Sequence, residues 1–256
     1  MRILRDCALV AVLAVTASAA QATLYFSQDS NANGLYAIDT LTAAATHLGA
    51  SGVGGSTVGL SPSGNPNVLF GTSFTQLLHI NVDGSGATAV GSVNAEGLAY
   101  DGATGTLYGQ LNNNFFTVDP NTGAHLTNLA SAIGDPDGLT FGRGGVFGVA
   151  DSTDSLVFYN VGLDNWTTVG ALGVAINDPG LAYDALNDIL YAMGSAGDLF
   201  AVDPDSGQAT LIGNTGLVGA GGLAFVSAGG AVPEPGALAL CAFGLAGFAR
   251  SRRRRG

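Results

Sequence analysis

Apolar residues along this chain fall into short runs separated every few positions by Gly, Asn, Asp or Pro, and nowhere in the middle of the chain do they recur with the 3.6-residue period of a helix. Leu199-Phe200-Ala201-Val202 is representative: a β-rich run bounded by turn formers, the pattern of strands and tight turns. The runs also repeat. Gly97-Leu98-Ala99-Tyr100-Asp101 returns as Gly180-Leu181-Ala182-Tyr183-Asp184, and ten residues after each Gly come Leu107-Tyr108 and Leu190-Tyr191. Phe115-Phe116-Thr117-Val118-Asp119-Pro120-Asn121-Thr122-Gly123 is echoed by Leu199-Phe200-Ala201-Val202-Asp203-Pro204-Asp205-Ser206-Gly207. Weaker copies of the first motif start at Gly59-Leu60 and Gly138-Leu139-Thr140-Phe141, and a lone one stands at Gly222-Leu223-Ala224-Phe225.

The five start points are 38, 41, 42 and 42 residues apart, a period that suits four short strands per repeat. The expected fold is therefore all-β: a five-bladed β-propeller. Asp-Pro-x-Thr/Ser-Gly reads as the turn from third to fourth strand, with Pro presetting φ and Gly taking the positive-φ position. A calcium loop is the alternative for these Asp residues, but the Asp-x-Asp-x-Asp-Gly spacing is missing. Leu24-Tyr25 aligns with the second strand of a repeat, and Gly222–Phe225 is a first strand with no second. Together they complete one blade, so the ring is expected to close by strand exchange between the termini, leaving no open sheet edge. A β-sandwich or β-solenoid with capped ends is the rival architecture.

The two ends are targeting segments and change the composition. Arg2 and Arg5, the apolar run from Cys7 to Val15 and Ala20-Gln21-Ala22 form a secretory signal peptide over residues 1–22, cleaved before Thr23 by signal peptidase. The domain is then 23–231, and in it a single basic residue, Arg143, faces sixteen Asp and Glu96, a formal charge of −16. Such a surface repels nucleic acid, whose binding needs clustered Lys and Arg. It leaves cations and basic partners open, and it also simply keeps an extracellular domain soluble. Both cysteines, Cys7 and Cys241, lie in the end segments, so the domain has no disulfide and no thiolate metal site.

At the other end, Val232-Pro233-Glu234-Pro235 is followed by an apolar run and then by Arg250, Arg252, Arg253, Arg254 and Arg255. The order is that of a stop-transfer element with its arginines left on the cytoplasmic side. Residues 232–256 resemble the PEP-CTERM sorting signal, in which a Pro-Glu-Pro motif precedes a transmembrane stretch and a basic terminus. The resemblance implies a substrate of an exosortase-type membrane peptidase of Gram-negative bacteria that make exopolysaccharide. It further implies transient anchorage in the inner membrane and a final place in the cell envelope or outside it. The run from Gly236 to Ala249 would span about 21 Å as a helix, short of a ~30 Å hydrocarbon core unless snorkelling arginines and flanking residues extend it.

No catalytic signature is present: no Gly-x-Ser-x-Gly elbow, His-Glu-x-x-His, Walker loop or Rossmann unit. His47, His79 and His125 lack metal-ligand spacing, and Trp166 reads as a core or blade-edge aromatic. One constellation has chemistry. In a propeller the loops entering each first strand gather around one mouth of the central channel, and here they carry Glu96, Asp135, Asp137 and Asp178. Converging carboxylates repel one another unless a hard cation, calcium above all, or a cationic ligand compensates them. The plainer expectation is that they splay into water. Two functions remain open: a non-catalytic module that binds extracellular matrix or polysaccharide, or an extracellular metal-dependent hydrolase or lyase working at the acidic mouth.

Overall fold

The computed structural model describes residues 22–53 and 57–227, so the expected signal peptide (bar Ala22) and the sorting tail, including Val232–Pro235 and Arg250–Arg255, lie outside the described residues. Among the described residues no helix is long and apolar enough to cross a membrane.

The strands run in chain order as β1 (Thr23–Gln28), β2 (Leu35–Ile38) and β3 (Ala45–Gly49), followed by four complete repeats. These are β4 (Gly59–Pro62), β5 (Val68–Thr72), β6 (Gln76–Asn81) and β7 (Ala87–Ser92); then β8 (Gly97–Asp101), β9 (Thr106–Leu111), β10 (Asn114–Val118) and β11 (His125–Asn128). The third set is β12 (Pro136–Gly142), β13 (Gly145–Ala150), β14 (Ser155–Asn160) and β15 (Asn165–Ala171). The fourth is β16 (Gly180–Asp184), β17 (Ile189–Met193), β18 (Asp198–Val202) and β19 (Ala209–Asn214), and β20 (Gly221–Val226) ends the series. Each repeat is one antiparallel four-stranded blade, and the fifth blade has the order β20-β1-β2-β3. In that blade Leu24 lies opposite Phe225 and Phe26 opposite Leu223, so the two ends of the domain share a sheet as the repeat pattern requires. Inner strands contact one another in the order β20, β4, β8, β12, β16 and back to β20, which closes the five-bladed propeller.

Apolar side chains on both faces of the middle strands fill the spaces between blades. Phe147, Val149 and Leu156 pack with Leu181, Leu190 and Val202 of the next blade, each nearly or fully buried. Each such side chain contributes roughly 1.5–3 kcal/mol by leaving water. Trp166 is buried in the outermost strand β15 as a blade-edge aromatic: its indole N–H donates to the Ala130 carbonyl at 3.2 Å and its ring meets Phe115 edge-on at 4.9 Å. The Asp-Pro turns are turns. Asp119 Oδ1 accepts the Asn121 N–H and Asp203 Oδ1 the Asp205 N–H, both at 2.8 Å, while Gly123 and Gly207 sit at φ 72° and 78°.

The axis is where the architecture departs from the expected open channel. A Cβ on Gly59 would lie 2.3 Å from the Glu96 carbonyl oxygen, on Gly138 2.6 Å from that of Pro179, and on Gly180 2.6 Å from that of Gly221. These inner-strand glycines, with Gly97 and Gly222, let five backbones meet at the centre. The space left between them is about 10 Å³, room for one water at most. The predicted mouth of a channel is instead a blind depression over a backbone floor.

Candidate functional site

Antiparallel alternation places the loops that enter the inner strands on the same rim as the turns between second and third strands. Glu96 immediately precedes β8. Asp135 precedes β12, Asp137 is its second residue, and Asp178 stands two residues before β16. Two of the four are held by left-handed backbone, Asp135 at φ 56° and Asp178 at φ 47°, a conformation that short polar Asp tolerates better than most residues.

Three of the four expected carboxylates converge: ligand oxygens of Glu96, Asp135 and Asp137 all lie within 4.8 Å of one another. Asp178 is not in that group, but it borders the same depression, of about 140 Å³, together with Glu96, Asp137, Asp29 and the ring of Phe74. Repulsion is visible in the acidities. Burial first, and then the charges of Asp135, Glu96, Asp151 and Asp178, push Asp137 from 3.8 up to about 7. Burial and Asp135 likewise raise Glu96, against a backbone N–H of Asn112 that favours its charged form. Asp151 is raised by burial and by Asp178.

None of the described residues supplies a counter-charge there. Arg143, the single basic side chain of the described residues apart from histidines, belongs to the hairpin at the opposite end of β12 from Asp137. Its Nε donates to Asp188 Oδ1 at 2.9 Å and its Nη1 to Asp205 Oδ1 at 2.5 Å, joining two blades. That guanidinium, with the Tyr183 hydroxyl, holds Asp188 down to about 2. Nor do the histidines join the carboxylates: His47 is bonded to the Asn33 carbonyl at 2.6 Å, the ring of His79 lies tilted against that of Phe70 and His125 is bonded to Asn128.

Sequence reasoning missed two participants. Gln110 is the last residue but one of β9 and has no exposed surface, and its Nε2 donates to Asp135 Oδ1 at 3.0 Å. Asp151 follows β13 in a short 3-10 turn. Gln110 is near the end of a second strand and Asp151 is in the turn after one, and the strand count alone puts both places on the carboxylate rim; that signal was available in the repeat.

In fold the domain is similar to one chain of a crystal structure of a nidogen/laminin complex, with a TM-score of 0.55 and 14% identity over 80% of this chain and 85% of that one. A structural genomics protein of unknown function from Bacteroides thetaiotaomicron aligns at a TM-score of 0.47 and 13% identity over 75% of this chain, which spans half of that protein's length. At these identities the likeness concerns the fold alone. No curated protein matches the chain in sequence. Residues 231–255 match the PEP-CTERM protein-sorting motif, so this five-bladed propeller is carried on a chain bearing the sorting signal of an exported protein processed by a membrane exosortase.

Proposed function

We propose that the chain, cleaved after Ala22 by signal peptidase and near Pro233–Pro235 by exosortase, works in the cell envelope or outside the cell as a non-catalytic binding module. Its acidic face engages a positive charge: a metal ion such as calcium, or a cationic group on a matrix component or polysaccharide. The observation that carries this reading is the convergence of Glu96, Asp135 and Asp137 within 4.8 Å with Asp178 beside them. Like charges so placed cost stability unless a cation joins them. A second reading, a metal-dependent hydrolase or lyase, draws on Asp137 alone, since a carboxylate titrating at about 7 suits general-base work at neutral pH.

Binding of calcium and, separately, of spermine to the exported protein and to its Asp137→Asn/Asp178→Asn variant tests the module. Affinity that falls at least tenfold in the variant for either cation supports it. Equal binding in both proteins, or none in either, rules the acidic face out as the binding surface.

A further inference from the structure

Gln110 stands out among the polar side chains of the domain. It is fully buried, and its Nε2 is satisfied twice, by Asp135 Oδ1 at 3.0 Å and by the Asn112 carbonyl. Its Oε1 is equally buried and accepts nothing. A buried acceptor left without a donor loses its hydration with nothing in exchange and so destabilises the fold. Turning the amide over brings no relief, because both partners of Nε2 are acceptors and would then face an oxygen. The one other buried side-chain oxygen in this condition among the described residues is Asp151 Oδ1, on the same rim.

An oxygen held this way, on an amide bonded to a carboxylate of the cluster, is complementary to a positive centre and not to another hydrogen-bond acceptor. The donor set identifies the centre. It is all oxygen, with no histidine or cysteine, which disfavours zinc. Oxygens that all lie within 4.8 Å of one another can share one ion, and three carboxylates supplied by the protein fit calcium better than magnesium, which usually keeps several waters and takes one or two carboxylates. Calcium also takes a mixture of carboxylate and neutral amide oxygens.

We propose that Glu96, Asp135 and Asp137 bind one calcium ion and that Gln110 Oε1 is its neutral ligand, with Asp151 and Asp178 outside the inner shell as an attracting rim. The assignment rests on the reading of the acidic face as a cation-binding surface, and names the ion and the ligand set. It also gives Gln110 two tasks within one amide. Nε2 orients Asp135, and Oε1 supplies an oxygen that adds no further repulsion to three carboxylates.

Calorimetric titration with calcium and with magnesium of the exported protein and of Gln110→Met, Gln110→Glu and Asp178→Asn tests it. One calcium per chain is expected for the unaltered protein, with magnesium at least tenfold weaker. Gln110→Met keeps the length and loses the oxygen, so calcium affinity should fall at least tenfold. Gln110→Glu loses the Nε2 bonds as Gln110→Met does but keeps the oxygen, so it should bind calcium at least tenfold more tightly than the Met variant, and Asp178→Asn should lose less than threefold. Terbium luminescence lifetimes give a second measure: the Met variant should gain one bound water relative to the unaltered protein. Calcium binding that is the same in the Met variant, with no added water on terbium, overturns the role of Gln110. Spermine binding that depends on Asp137 and Asp178 without any calcium binding overturns the calcium site and leaves the acidic face standing as a cation surface. Absence of both removes the broader reading as well.

Discussion

Replacing Asp137 by Asn should stabilise the metal-free protein. In the folded chain burial and four neighbouring carboxylates raise this group from 3.8 to about 7. Between those two values the folded state holds a proton that the unfolded state has released, so stability falls as pH rises through that window and the loss is complete above about 7. At ~1.36 kcal/mol per pKa unit, the rise from 3.8 to about 7 sets an upper bound of roughly 4 kcal/mol. Asp137 is only half-buried and borders an open depression, and solvent screening reduces the figure to about 1–2 kcal/mol. For a domain of this size that is a gain of about 3–6 °C in Tm. Thermal unfolding of both proteins in chelator at pH 4, 6 and 8 measures it. The gap should be small at pH 4, open through pH 6 and be full at pH 8. With saturating calcium the order should reverse, because the variant loses a ligand and with it the stabilisation that binding confers. An Asn variant no more stable than the unaltered protein at pH 8 in chelator, or a gap that does not change with pH, would show that these carboxylates do not repel one another through Asp137.

Three further outcomes follow from the ring and the tail. Gly59→Ala sets a Cβ 2.3 Å from the Glu96 carbonyl oxygen and should cost about 3 kcal/mol or more in urea unfolding, whereas Gly144→Ala, at φ 75° in open space, should cost only about 1 kcal/mol. Similar losses at the two positions would contradict the sealed axis. Deleting Gly221–Ser227 removes the partner of β1 and should leave a pairing edge that broadens the unfolding transition and promotes aggregation, seen by light scattering; a deletion protein that melts as sharply as the intact one would argue against closure. Intact mass of the exported protein should correspond to a chain starting at Thr23 and ending near Pro233–Pro235, and recovery of a species still carrying Arg252–Arg255 would contradict the processing.

What the sequence determined by itself is whatever repeats or is read locally. Gly-Leu-x-aromatic strands at a period near forty, and Asp-Pro turns whose side chains bond two residues on, specify blades without knowledge of any neighbour. Gly222–Phe225 without a second strand, and Leu24-Tyr25 without a first, specify closure, because an unpaired half-blade at each end has one satisfying arrangement. The tail is a linear signal and needs no fold. Glu96, Asp135 and Asp137 could be placed on a common rim by strand counting. Their approach to within 4.8 Å could not, nor could the exclusion of Asp178 from that group, because those distances depend on how adjacent blades are tilted and packed. Gln110 reads in sequence as an ordinary polar strand residue; only the packing of β8 and β9 against the next blade buries it and leaves its oxygen without a donor. The sealed axis was hidden for a related reason. A glycine that begins a strand looks like a turn residue until the backbone of the next blade is seen 2–3 Å from its missing Cβ. Blades are products of neighbouring residues in the chain, whereas floor, rim and acidity are products of contacts between blades, and those exist only once the ring has closed.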